Sequence, residues 1–249
     1  MMKFFSLVAV LMMLSFLPAR QVKLRIFMAG DSTMSIKAQT AYPETGWGMP
    51  FVHFWNDEVQ VINRAKNGRS TKTFRAEGIW ATMLDEMQEG DYVFIQFGHN
   101  DEVKEKVGSY TTPAEFTFNL KQYIAEARAK KTIPVLLTPV SRRKFDARGN
   151  TVETHQAYSA LVREVAASEK TVLIDHDSLS MAAYGRLGME TSKLLFLQLQ
   201  PGEHPNYPAG KEDNTHFNEL GGRLMAQLVL QEIRVKIPEL ANYVFRKEK

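Results

Sequence analysis

The 249-residue chain predicts a single three-layer α/β domain. Short, near-continuous apolar runs rich in β-branched and aromatic residues recur along it, and longer stretches with helical periodicity separate them. No repeat, low-complexity tract or composition break marks a linker. Runs of this length suit strands buried on both faces of a parallel sheet, and the stretches between them supply the crossover helices.

The five strands are expected at Leu24 to Met28, Val59 to Ile62, Tyr92 to Phe97, Ile133 to Leu137 and Val172 to Ile174. Thr112-Pro113-Ala114-Glu115 reads as a capping box with proline at the first helical position. The helix it opens places Phe116, Leu120, Tyr123, Ile124 and Ala127 on one face. A second helix is expected over Val152 to Ala167. The last begins near Asn218, turns Leu220, Leu224, Leu228 and Val229 inward, and stops before Pro238. Between Gln198 and Asn214, three prolines and two glycines predict the longest irregular loop, of a length often functional in compact domains.

Ahead of the first strand, Lys3 precedes an uncharged run from Phe4 to Leu17 that ends in Pro18 and Ala19. Residues 1–19 read as a secretory signal peptide, with residues 20–249 as the domain it exports. The apolar run is shorter than the roughly 20 residues of a spanning helix; a buried or anchoring N-terminal helix is the alternative. The expected product is secreted or periplasmic, not inserted in a membrane, and monomeric. Zero cysteines exclude disulfides, thiolate metal sites and a cysteine nucleophile. A net charge of +3 is too mild a bias to argue for nucleic acid.

Ligands of open parallel sheets bind beyond the carboxyl ends of the strands. There the sequence turns polar: Gly30-Asp31-Ser32-Thr33 after strand one, Asn63 to Ser70 after strand two, Gly98-His99-Asn100-Asp101 after strand three, and Asp213-Asn214-Thr215-His216 before the last helix. A serine hydroxyl needs a general base held in the right tautomer by a third group. His216 and Asp213 can supply both to Ser32. The backbone N–H groups of Ser32 and Gly68 and the side-chain amide of Asn100 can converge on an oxyanion, with glycine at 68 leaving room for the reacting group. Each piece alone also reads as ordinary turn or cap chemistry. Their conjunction, in this order and at strand ends, points to acyl transfer.

These blocks resemble those of the SGNH (GDSL-type) hydrolases. Gly30-Asp31-Ser32-Thr33-Met34, Gly46-Trp47-Gly48, Asn67-Gly68-Arg69-Ser70-Thr71, Gln96 to Asp101 and Asp213 to Phe217 are similar to the rhamnogalacturonan acetylesterase branch. Thr33 stands where the superfamily often has leucine, a departure the branch shares. The resemblance covers nearly all of residues 20–249. It implies a flavodoxin-like α/β/α sandwich with a five-stranded parallel sheet, no metal or organic cofactor, and removal of acetyl groups from galacturonate residues of pectin. It also implies Ser32 as nucleophile, His216 as base, Asp213 as its partner, and Ser32, Gly68 and Asn100 as the oxyanion hole.

An acidic polysaccharide calls for local positive charge. Arg64, Lys66, Arg69 and Lys72 gather around Gly68, and Arg142, Arg143, Lys144 and Arg148 follow strand four. Arginine suits bidentate carboxylate recognition, so Arg69 and Arg142 are candidate substrate-binding residues; a solvated charged loop is the other reading. Trp47 is a candidate sugar-stacking platform or a core residue. Acetylated xylan, homogalacturonan or small acyl esters are alternative substrates.

Other chemistries fit less well. Gly46-x-Gly48 lacks the third glycine and the preceding strand of a dinucleotide site. A flavin phosphate held after strand one would leave Asn100, Asp213 and His216 without a role, as would a carbohydrate-binding module without catalysis. The histidines and aspartates include no His-Glu-x-x-His, and Ser141-x-x-Lys144 lacks the companion motifs of a Ser-Lys acylase.

Overall fold

The computed structural model describes residues 23–246, so the segment read as a signal peptide lies outside the described residues. In chain order the elements are β1 (Leu24–Gly30), α1 (Gly48–Phe51), β2 (Val59–Asn63), α2 (Thr71–Ala76), α3 (Ile79–Glu86), β3 (Tyr92–Gln96), α4 (Pro113–Ala129), β4 (Ile133–Leu137), α5 (Gln156–Ser168), β5 (Val172–Ile174), α6 (His176–Thr191), β6 (Phe196–Leu199), β7 (Lys211–Phe217), α7 (Glu219–Lys236) and α8 (Pro238–Ala241). Strands one to five form one sheet in the order β2-β1-β3-β4-β5, every pairing parallel. All five stand where the apolar runs placed them.

Side-chain alternation along each strand feeds two cores. Ile26, Met28, Phe94, Val135 and Leu137 face α1, α6 and α7 through Phe51, Tyr184, Met225, Val229 and Ile233. Phe27, Ala29, Val93, Ile95 and Leu136 face α2 to α5 through Phe74, Trp80, Tyr123 and Val162. With both faces covered, the strands are apolar on both sides, which makes the runs legible.

The α4 capping box forms as read: Thr112 Oγ1 accepts from Glu115 N at 3.3 Å, and Glu115 Oε2 accepts from Thr112 N at 2.7 Å. Its five expected inward residues are all buried. The second expected helix, α5, begins four residues late, after His155. In α7 the Asn218 side chain caps Gly221 N at 3.1 Å, but Leu220, expected inside, is 56% exposed. The inward face of that turn belongs to Gly221 and Gly222, because a Cβ at Gly221 would stand 1.9 Å from the Leu195 carbonyl oxygen. Only glycine lets the helix approach so closely, and Leu220 is rotated to solvent.

The expected loop from Gln198 to Asn214 is corrected most. Its two ends are strands of an antiparallel hairpin, with Gln198 opposite Glu212 and Leu199 opposite Lys211. The residues of β7 are mostly charged or amide side chains of low strand propensity, so tertiary pairing rather than local preference makes them extended. Only the Pro- and Gly-rich tip stays irregular.

Candidate active site

In this strand order the chain changes direction between β1 and β3, the switch point where open α/β sheets hold ligands. Gly30 closes β1 against β3: a Cβ there would stand 2.9 Å from the Gln96 carbonyl oxygen. The next residues form a tight turn. Asp31 Oδ1 accepts from the backbone N–H and hydroxyl of Thr33, both at 2.9 Å, and its carbonyl accepts from Ser35 N at 3.1 Å. Asp31 and Thr33 are buried, and Ser32 is left partly exposed at the apex. The turn chemistry of Asp-Ser-Thr is therefore real, and it aims a hydroxyl.

From β7, 184 residues further along the chain, His216 Nε2 meets Ser32 Oγ at 2.9 Å. The other ring nitrogen, Nδ1, lies 2.8 Å from Asp213 Oδ2, while Asp213 Oδ1 accepts from the backbone N–H groups of Thr215 and His216 at 2.7 and 3.0 Å. Burial pushes the Asp213 carboxyl up, but hydrogen bonds from the His216 ring and these N–H groups outweigh it and hold the carboxyl well below its usual range. A fixed anion on Nδ1 leaves Nε2 free to accept the serine proton.

Gly68 and Asn100 stand across from this pair and line, with Ser32 and His216, a cleft of about 430 Å³. Gly68 has φ +76°, and a Cβ there would meet nothing within 4 Å. Backbone conformation, not crowding by protein atoms, calls for glycine. Among the described residues, neither the Ser32 nor the Gly68 N–H has a backbone acceptor. Asn100, 5% exposed, donates one amide hydrogen to the Arg69 carbonyl at 3.0 Å, which leaves the second available.

Lys37 was not singled out in the sequence, having no motif around it. Its nearly buried ammonium donates to the Ser32 carbonyl at 2.5 Å and to Asn67 Oδ1 at 2.7 Å, and pairs with Glu44 at 2.7 Å. It ties the serine turn to the Gly68 loop. His99 also lines the cleft, edge-on against His155 at 4.2 Å between centroids. Burial holds its imidazole well below the usual range, so it is neutral.

The substrate-binding candidates separate. Trp47 is corrected: it is fully buried, its Nε1 donates to Gln96 Oε1 at 2.8 Å, and its ring packs edge-on against Phe51 and His176. Gly46 and Gly48 flank it because the turns at Met34 and Ser35 press on their backbone, so the motif serves packing beneath the site. Arg69 bonds Glu77 at 2.9 and 3.1 Å and the Asn67 carbonyl at 2.7 Å, and it is absent from the cleft lining. Lys66 pairs with Glu77 and Arg64 with Glu86. Arg142 does line the cleft, together with Lys106. Glu102 steadies it at 2.6 Å and also accepts from His155 Nδ1 at 2.9 Å.

Behind the cleft, Asp101 accepts from Thr71 N at 3.0 Å and from the hydroxyls of Thr71 and Thr111 at 2.5 and 2.9 Å. Burial still pushes its carboxyl up to about 7. Between about pH 4 and 7 the folded chain retains a proton the unfolded chain has released, so this group makes folding weaker as pH rises, by up to ~4 kcal/mol. Asp101→Asn cannot titrate. Its melting temperature minus that of wild type is expected to increase from pH 5 to pH 8 in differential scanning fluorimetry; a constant difference refutes the assignment.

Among the described residues no group of three or more His, Asp or Glu side chains is placed to hold a metal ion. The serine turn at the switch point, with the histidine and aspartate that reach it, has the layout of a serine-type acyl hydrolase on a flavodoxin-like scaffold. The profile of the GDSL-like lipase/acylhydrolase family matches residues 28–224. The chain belongs to that family and is a carboxylic ester hydrolase. It is 39% identical to the rhamnogalacturonan acetylesterase RhgT of Bacillus subtilis over 84% of this chain and 89% of that one. It is 36% identical to the probable rhamnogalacturonan acetylesterase YesY of the same organism over 84% and 92% of the two chains. The crystal structure of YxiM from Bacillus subtilis superimposes with a TM-score of 0.75 at 28% identity, covering 86% of this chain and 57% of that longer one.

Proposed function

We propose that this protein is a serine esterase that removes acetyl groups from pectic polysaccharide, with rhamnogalacturonan as its substrate. The observation that carries the reading is the continuous line from Asp213 through His216 to Ser32, with contacts of 2.8 and 2.9 Å, opening on a cleft that holds Gly68 and Asn100. Ser32 Oγ attacks the acetyl carbonyl carbon as its proton passes to His216 Nε2. Negative charge collects on the former carbonyl oxygen, where the N–H groups of Ser32 and Gly68 and the free amide hydrogen of Asn100 receive it. Collapse breaks the bond to the sugar oxygen, which leaves as an alcohol with the proton from His216. Water then attacks acetyl-Ser32 as His216 takes one of its protons; collapse breaks the bond to Ser32 Oγ, which receives that proton, and acetic acid departs and ionises to acetate in solvent.

Arg142 and Lys106 give the cleft positive charge suited to a uronate carboxylate beside the ester. Arg142→Ala is expected to raise KM on acetylated pectin about ten-fold while leaving KM for 4-nitrophenyl acetate within about two-fold, because only the polymer brings a carboxylate. Equal changes on both substrates refute that role. The substrate class is tested by acetate release from rhamnogalacturonan, homogalacturonan and xylan, with Ser32→Ala as control. A preference for rhamnogalacturonan supports the reading. Equal rates on xylan remove the pectin specificity and leave the esterase chemistry standing. Export through residues 1–19 and a monomeric product complete the proposal; a secreted form that starts at Met1 contradicts the first.

A further inference from the structure

The catalytic cleft does not end at Ser32. Glu44, on its edge, also lines a second groove of about 660 Å³ whose walls include Tyr42, Met49, His204 and Asn206, within the size range of small-ligand sites. This groove is built. Asn206 Nδ2, at the tip of the β6–β7 hairpin, donates to the carbonyls of Gln39 and Tyr42 at 3.0 and 2.9 Å, and the Tyr207 hydroxyl donates to the Ala41 carbonyl at 2.8 Å. Two loops from opposite ends of the chain are thereby stapled into one wall. The rings of Tyr42 and His204 stand on it 5.5 Å apart, Tyr42 45% exposed.

Charge differs between the two compartments. The cleft has Arg142 and Lys106. Among the described residues, the lysine that lines the groove is Lys37, whose ammonium is directed to Ser32, Asn67 and Glu44, and the Glu44 carboxylate stands at the junction. A second uronate entering the groove would meet the Lys37–Glu44 ion pair, which among the described residues offers it no net positive charge. A neutral sugar would meet aromatic faces and the Met49 side chain, which suit the C–H face and methyl of a 6-deoxyhexose.

We propose that this groove binds the neutral deoxy sugar adjoining the acetylated uronate, so that cleft and groove together read an alternating acidic and neutral backbone. The inference rests on the pectin reading above. Such a division selects rhamnogalacturonan, in which galacturonate alternates with rhamnose, over homogalacturonan, in which every neighbour is charged.

The test compares wild type, Tyr42→Ala, His204→Ala and Tyr42→Phe on acetylated rhamnogalacturonan oligosaccharides, acetylated homogalacturonan oligosaccharides, acetylated xylan and 4-nitrophenyl acetate. Tyr42→Phe removes the hydroxyl that donates to Glu219 at 2.6 Å but keeps the ring. Both alanine variants are expected to raise KM on rhamnogalacturonan about ten-fold, with kcat on that substrate and kcat/KM on 4-nitrophenyl acetate within about two-fold of wild type; Tyr42→Phe is expected to match wild type. Unchanged KM on rhamnogalacturonan, or parallel losses on polymer and small ester, overturns the groove. A wild type that prefers xylan overturns the pectin reading alone, and the groove survives as a neutral-sugar site if Tyr42→Ala raises KM on xylan. An alanine effect confined to homogalacturonan overturns the groove.

Discussion

Ser32→Ala is expected to lower kcat for acetyl ester hydrolysis about 10⁴- to 10⁶-fold, with KM nearly unchanged. The hydroxyl sits at the apex of a turn whose geometry is set by Asp31 and Thr33 rather than by Ser32 itself, so removing one oxygen atom deletes the nucleophile without altering its support. Far-ultraviolet circular dichroism and the melting temperature are expected to match wild type. Acetate release that persists at more than about one-hundredth of the wild-type rate would assign the attack to another group, and water activated directly by His216 would be the first alternative to examine.

Asn100→Ala is expected to lower kcat about 10²- to 10³-fold, the loss of about 2.7–4 kcal/mol of transition-state stabilisation that one oxyanion donor supplies. One amide hydrogen already holds the Arg69 carbonyl at 3.0 Å, which fixes the other in place before the charge develops. The same bond gives Asn100 a structural role, so the loss is divided by reading kcat against KM and against melting temperature. A catalytic donor lowers kcat with a small change in stability. A purely structural residue would lower the melting temperature and leave kcat of the surviving folded fraction intact.

The central sheet was legible because burial on both faces leaves a continuous apolar record, and α4 because its cap and inward face follow one helical period. The serine turn and the Asn100 loop were legible because they follow strands and because their residue types carry the chemistry. Other features were hidden for particular physical reasons. α6 contains Gly188 at φ +75°, which interrupts its periodicity. β7 is polar because it carries the site rather than the core, and it passed for loop. Trp47 resembled a sugar platform because an indole between glycines reads the same whether solvent or protein covers it, and only the fold places Gln96 against its N–H. Lys37 makes contacts that no local pattern encodes, since its partners lie at Ser32, Glu44 and Asn67. The basic residues around Gly68 looked like a positive surface because their partners, Glu77 and Glu86, belong to α2–α3 and its flanks, helices that the sequence did not reveal.

The division of the site between β1 and β7 also bears on when activity can arise during synthesis. The chain needed for the five-stranded sheet is complete at Ile174, and that part already carries the serine turn, Gly68 and Asn100. His216 and Asp213, the proposed base and its carboxylate, arrive only with β7, on a hairpin outside the central sheet that Asn218 fastens through the carbonyls of Leu194 and Phe196 at 2.9 and 3.1 Å. A chain grown to that point thus holds the sheet and the α2–α5 layer, while the α6–α7 layer on the opposite face is still to come. On the proposed mechanism, hydrolysis begins only when the hairpin that carries Asp213 and His216 docks beside Ser32.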